Sequence, residues 1–318
     1  MKENAKVYSG LHSDVIRQFQ MKDKKDYRFC ASKDNEDTLR LMVQYALKKA
    51  FNDFNFRTLE KHKSFDSLYK AWEDKRKAER RKLPKGHKGV EPTVTGYLMQ
   101  RLGVKFENRF IKYFQENPLS ETEFDDWHHT TCQMFLDNLE GKGDFQDETL
   151  YPPIYKNLKY GKAQKIVNMM FKHLYCFNSE ENWEEKWAPY FQHCHITLDN
   201  FTLEWFERQV PPYKRIESWS NLDYDGAAVE TENYLFYLEK IRKFFQDKEN
   251  LTAFQAEFYI WPEIQLRLAA EAFLFELKPK TYKGMGKKPQ EAKMKLLKLP
   301  VEELIQEVKD TIKEYQPR

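Results

Sequence analysis

Apolar residues recur at three- and four-residue intervals through most of this chain, with few glycines to interrupt them, and that periodicity restricts it to a helical fold. In DTLRLMVQYALKKAFNDF, the residues Leu39, Met42, Val43, Ala46, Leu47 and Ala50 form one stripe, and Asp37 is placed to cap the N-terminus. Only 11 glycines occur in 318 residues, and alternating β-branched runs that would signal strands are scarce. The same spacing predicts helices in SFDSLYKAWEDKRKAERRK, in TVTGYLMQRLGVKFENRFIKYFQEN and in SETEFDDWHHTTCQMFLDNLE, which opens with a capping-box pattern from Ser120 to Glu123. Further helices are expected in NLKYGKAQKIVNMMFKHL, LDNFTLEWFERQV, ETENYLFYLEKIRKFFQDK, FQAEFYIWPEIQLRLAAEAFLFEL and VEELIQEVKDTIKEY, the last begun by Pro300 at its first position. The fold class predicted is all-α.

With 41% hydrophobic and 15% aromatic residues the chain has enough apolar surface to fold. No apolar run approaches the roughly 20 residues that span a bilayer, and MKENAKVYSG lacks the apolar core of a signal peptide, so no membrane partner and a cytoplasmic location are expected. The four cysteines show no CxxC spacing and are expected to be reduced thiols. The stretch HCHIT, with His193, Cys194 and His195, and the upstream His173 and Cys176 supply metal-ligand residue types without a four-ligand zinc spacing. No metal and no cofactor are expected.

The net charge is +3, but the cations are clustered. Lys75, Arg76, Lys77, Arg80, Arg81, Lys82, Lys85 and Lys88 crowd a helix end and the Pro/Gly loop after it, and a second group runs from Lys278 to Lys298 through LKPKTYKGMGKKPQEAKMKLLKLP. Such clusters are commonly solvated helix faces. They also suit phosphate contacts, which add salt-dependent affinity without reading sequence. Arg80, Arg81, Lys82 and Lys85 are the expected nucleic-acid contacts.

The stretch YGKAQKIVNMMFKHLYC sets Lys162, Lys165 and Lys172 among apolar residues. A tight turn at Tyr160 and Gly161 is expected to feed a helix N-terminus suited to a DNA phosphate. On that helix Lys165 lies at the edge of the face formed by Ala163, Ile166, Val167 and Met170, where a partly desolvated amine becomes a better nucleophile. Downstream, in HCHITLDNFTLEWF, Asp199 enters the next helix. There it serves as an N-cap, or as a carboxylate that steadies charge on a sugar and orients a nucleophile.

A turn with Gly, a helix with an embedded Lys and an apolar-apolar-Asp entering the next helix resemble the helix-hairpin-helix DNA glycosylase superfamily. The 34-residue separation of Lys165 and Asp199 and the run AQKIVNMMFK are most similar to its archaeal 8-oxoguanine glycosylase branch. The resemblance covers roughly residues 150 to 280, and departs from the family's two-glycine hairpin, since LKYGKAQK has Gly161 alone; Lys162 therefore remains a rival for the lysine role. It implies that Lys165 attacks C1′ of a deoxyribose to form a Schiff base, that Asp199 assists departure of the base, and that Gly161 and Lys162 contact DNA. It also implies a two-lobed helical glycosylase-like fold with an extra N-terminal helical region. The expected parts are residues 1–120 with a basic loop at 74–89, a core at 121–280, and a basic linker with a C-terminal helix at 281–318. Among Trp219, Tyr224, Tyr259 and Trp261, Trp219 is the preferred stacking partner for an extruded base, although aromatics at such spacing more often fill a core.

The expected activity is excision of a modified or damaged base, in repair or in defence against phage DNA. The N-terminal region outside the resemblance leans toward a specialised role such as defence. The alternatives are a non-catalytic nucleic-acid-binding module, and a helical interaction protein in which Lys165 snorkels and Asp199 merely caps.

Overall fold

The computed structural model describes residues 36–54, 56–82, 93–147, 151–176, 187–209, 218–225, 233–248, 251–277 and 301–315. Its helices are α1 (Glu36–Asp53), α2 (Phe65–Arg81), α3 (Val94–Gln115), α4 (Glu121–Glu140), α5 (Tyr160–Tyr175), α6 (Ala188–Phe191), α7 (Asn200–Gln209), α8 (Tyr234–Lys248), α9 (Ala253–Leu277) and α10 (Val301–Tyr315). Short 3-10 turns lie at Phe56–Thr58, Gly143–Phe145 and Trp219–Asn221. Among the described residues there is no strand, only an isolated bridge between Lys61 and Tyr155. The fold is all-α.

Packing divides the helices into two compact units. The first comprises α1 to α6, the Trp219–Asn221 turn and α8. Its central element is α5, on which Ala163, Ile166, Val167 and Met170 are all fully buried. Each of the larger three contributes roughly 1.5–3 kcal/mol by leaving water. Helix α1 packs its predicted stripe, Leu39 to Phe51, against α3 and α5, and α4 lies on α5 as well. Helices α1 and α3 thus belong to the same packing as the lysine helix. Phe110, Tyr113, Phe124, Trp127 and Phe171 pack ring against ring where α3, α4 and α5 meet.

Local signals fix the ends of α4. The Glu123 carboxylate accepts from both the backbone N–H and the hydroxyl of Ser120, 2.8 and 2.6 Å away, forming the capping box. Gly141 closes the helix in the left-handed region at φ 65°, a conformation glycine adopts without a Cβ penalty.

The second unit holds α7, most of α9 and α10. Trp205 of α7 donates its indole N–H to Glu263, 3.0 Å away, and Phe201 packs on Trp261. Ala270 and Leu274 of α9 form a small core with Leu304 of α10. Pro300, Lys85, Lys88 and the cluster from Lys278 to Lys298 lie outside the described residues.

Candidate functional site

Helix α5 begins at Tyr160, with Lys159 as its extended N-cap, so Tyr160 and Gly161 are the first turn of the helix rather than a turn leading into it. Gly161 is buried, and its N–H donates to the Leu222 carbonyl at 2.9 Å. A Cβ added at Gly161 would stand 1.8 Å from the Trp219 carbonyl oxygen. The glycine is therefore a point of close backbone approach, where segment 218–225 lies against α5, and its N–H is not open to a phosphate. Lys159, paired with Asp223 at 2.9 Å, closes the other end of that contact.

This seating carries Trp219 to the lysine. Nζ of Lys165 lies 5.0 Å from the Trp219 ring centroid, within range of a cation–π interaction. Nζ is also 3.3 Å from Oδ2 of Asp199, which stands immediately before α7. The two side chains are 18% and 13% exposed, so the pair is sheltered yet reachable from solvent. Lys165, Asp199 and Trp219, singled out separately in the sequence, meet in one place within the first unit.

The other two lysines of α5 differ. Lys162 is half-buried, burial alone draws its ammonium below its ordinary value, and among the described residues no carboxylate pairs with it. Lys172 is 1% exposed, the most deeply buried of the three. Lys165 has both a carboxylate and an indole as neighbours.

Behind the site lies a buried polar network that sequence reasoning did not anticipate. Gln164 and Asn168 are fully buried on α5. Gln164 Nε2 donates to the carbonyls of Leu198 (2.6 Å) and Gly161 (2.9 Å), while its Oε1 accepts from Leu198 N (3.2 Å) and Asn168 Nδ2 (2.9 Å). Asn168 Nδ2 also donates to the Ile196 carbonyl at 3.0 Å. Two side chains of α5 thus grip the extended segment just before Asp199, in the way a neighbouring strand would.

The network continues through two histidines. Asn168 Oδ1 can only accept, so His128 Nε2 donates to it at 2.7 Å and Nδ1 accepts from the Tyr160 hydroxyl at 3.0 Å. His195 Nε2 donates to Asp125 at 2.7 Å, and its Nδ1 accepts from Tyr234 at 2.7 Å. With the two tyrosine hydroxyls donating, both imidazoles are neutral. Burial agrees: it pushes His195 down to about 4 and His128 well below its ordinary value. Burial works against the Asp125 charge, yet hydrogen bonds from Arg242 and His195 hold its carboxyl far below the usual carboxylate range. Arg242 grips Asp125 with two nitrogens, at 2.7 and 2.9 Å.

A signal for part of this network was present in the sequence. Gln164, Asn168 and Lys172 recur every four residues on α5 and are all buried, so they line one stripe. The residues of HCHIT and its upstream neighbours go to separate partners: His195 to Asp125, His193 toward Glu121, and His173 to Asp53. Cys132, Cys176 and Cys194 are buried and form no disulfide among the described residues. Among the described residues no group of three or more His, Cys, Asp or Glu is placed to hold a metal, and no helix is long and apolar enough to cross a membrane.

The basic end of α2 has a distinct character. Residues 74–82 are exposed on every face of the helix. Arg76 pairs with Glu79 and Lys77 with Glu73, both near 3.0 Å, whereas Lys75, Arg80, Arg81 and Lys82 make no ion pair among the described residues. Lys85 lies beyond the described part of this segment.

Comparison of the chain with family models, curated proteins and solved structures finds no match.

Proposed function

We propose that the chain is a DNA glycosylase-like enzyme that extrudes a modified or damaged base and breaks its N-glycosidic bond, with Lys165 as nucleophile, Asp199 as its carboxylate partner and Trp219 as a stacking surface. The supporting observation is the convergence of a sheltered amine, a carboxylate 3.3 Å away and an indole 5.0 Å away. An indole offers an extruded base a π-face, and a carboxylate beside an amine can take its proton.

In this chemistry the Lys165 amine attacks C1′ of the deoxyribose as the C1′–N bond breaks. The base departs with the bonding electrons and takes a proton from water, Asp199 accepts a proton from the attacking nitrogen and passes it to O4′ as the sugar ring opens, and a protonated imine remains between Lys165 and C1′. Borohydride adds hydride to that imine and fixes it as a stable secondary amine. A panel of duplexes with different modified bases is expected to give one covalent adduct, absent from K165A and retained in K162A. An adduct that persists in K165A would remove Lys165 from the mechanism. Absence of both adduct and abasic sites on every duplex would remove the enzymatic proposal itself.

A specific observation favours one second reading, a non-catalytic nucleic-acid-binding protein: Lys75, Arg80, Arg81 and Lys82 make no ion pair among the described residues and lie on a fully exposed stretch of helix. Lys165 would then be a phosphate contact, and its loss would weaken binding uniformly while reducing the salt slope by about 1.

A further inference from the structure

Asp199 stands immediately before α7. It is the last residue of an extended segment, and such a segment leaves every backbone N–H and C=O in need of a partner. Its carboxylate lies 3.3 Å from the Lys165 amine. The partners come from α5. Leu198, the residue before Asp199, gives both its N–H and its C=O to the Gln164 amide, and Ile196 gives its C=O to Asn168.

Gln164 is the neighbour of Lys165 in sequence, so the helix that carries the amine also carries the clamp for its carboxylate. All four hydrogen-bonding capacities of this amide are used, two as donor and two as acceptor, which fixes its orientation. Asn168 is held in turn by His128, so the clamp cannot rotate without breaking bonds deeper in the core. The geometry points to Gln164, backed by Asn168, as the positioning residue that sets Asp199 against Lys165. Its consequence for chemistry rests on the glycosylase proposal; its consequence for the position of Asp199 does not.

Two measurements separate these. A carbodiimide joins an amine to a carboxylate in direct contact, and peptide mass spectrometry reads the Lys165–Asp199 link against the Lys159–Asp223 pair as an internal standard. Q164M, which keeps the side-chain length but removes all four bonds, is expected to lose most of the first link and keep the second. Equal Lys165–Asp199 yields in Q164M and wild type would overturn the assignment. On the duplex that traps wild type, Q164M is expected to lower the single-turnover rate by about 10- to 100-fold, the range that follows from misplacing a reacting group by about 1 Å. Duplex affinity should stay within about twofold, because the clamp is buried away from phosphates.

A Q164M rate equal to wild type, with the link lost, would overturn the functional half. If wild type traps no duplex, the glycosylase proposal falls and the cross-link alone decides whether Gln164 positions Asp199. Should Q164M fail to fold, amide exchange in wild type decides: the Leu198 N–H must exchange slowly, and fast exchange there overturns the clamp.

Discussion

At the scale of single residues, two glycines on buried helix faces make opposite demands. At Gly161 a Cβ would fall 1.8 Å from the Trp219 carbonyl oxygen, with the Trp219 carbonyl carbon at 2.9 Å behind it, so backbone must move. At Gly103 of α3 the nearest atom is Met99 Cε at 3.9 Å, an ordinary contact with a flexible tip. Replacing the helix-interior Gly103 with alanine gains about 1 kcal/mol of helix propensity, and Gly161, in the first turn of α5, gains no more than that. Overpacking against backbone costs about 1–3 kcal/mol or more and outweighs that gain at Gly161. G161A is expected to lower the thermal midpoint and shift the fluorescence of Trp219, while G103A is expected to be neutral or stabilising. Equal midpoints for the two variants would show that segment 218–225 does not rest on α5 as described.

At the scale of elements, α4, α5 and α8 are tied together by the buried polar network, and that network makes stability depend on pH. An unfolded histidine titrates near 6.5, whereas burial holds His195 down to about 4 and His128 well below its ordinary value in the folded chain. Above about pH 7 both states are neutral at these positions and no dependence arises. As pH falls from about 6.5 toward 4, the unfolded chain takes up protons that the folded chain refuses, so stability declines. The lowered Asp125 acts in the same direction at more acid pH, since its stabilisation is present above the unfolded carboxylate value and is lost as pH drops through the folded one. The thermal midpoint is expected to be flat above pH 7 and to fall between pH 6.5 and 4.5, less steeply in H195N. A wild-type midpoint unchanged across that interval would contradict neutral burial of these imidazoles.

The elements themselves were largely legible from periodicity, because the stripe on α1 and the apolar face of α5 are local patterns. The capping box at Ser120 was legible for the same reason. The contact of Lys165 with Asp199 was expected through a family resemblance, not through spacing alone, and the seat of Trp219 was legible only as a loop aromatic. Gly161 was read as a hairpin glycine, although its role is set by a carbonyl 58 residues downstream, which no local pattern displays. The partners of His128 and His195 come from α4, α5 and α8, so their network exists only once the chain has folded.

At the scale of the whole molecule, a net charge of +3 spread over 318 residues would give a polyanion little to hold. The distribution decides otherwise. Residues 74–82 carry six Lys or Arg against two carboxylates, an excess larger than that of the entire chain, and all are exposed. The end of α2 is therefore a concentration of cations in a chain whose total charge is close to balanced. Each phosphate neutralised by such a side chain adds about 0.9 to the slope of log affinity against log salt for duplex DNA. R80A/R81A is expected to reduce that slope by about 2 and to weaken modified and unmodified duplexes alike, because phosphate contacts carry no base information. The rate of borohydride trapping at saturating duplex should not change, since neither arginine belongs to the Lys165 site. Titration of labelled duplexes at several salt concentrations reads both quantities. An unchanged slope would exclude the end of α2 as the phosphate contact, whereas a trapping rate that fell at saturation would make the basic helix part of the reacting geometry rather than an anchor for it.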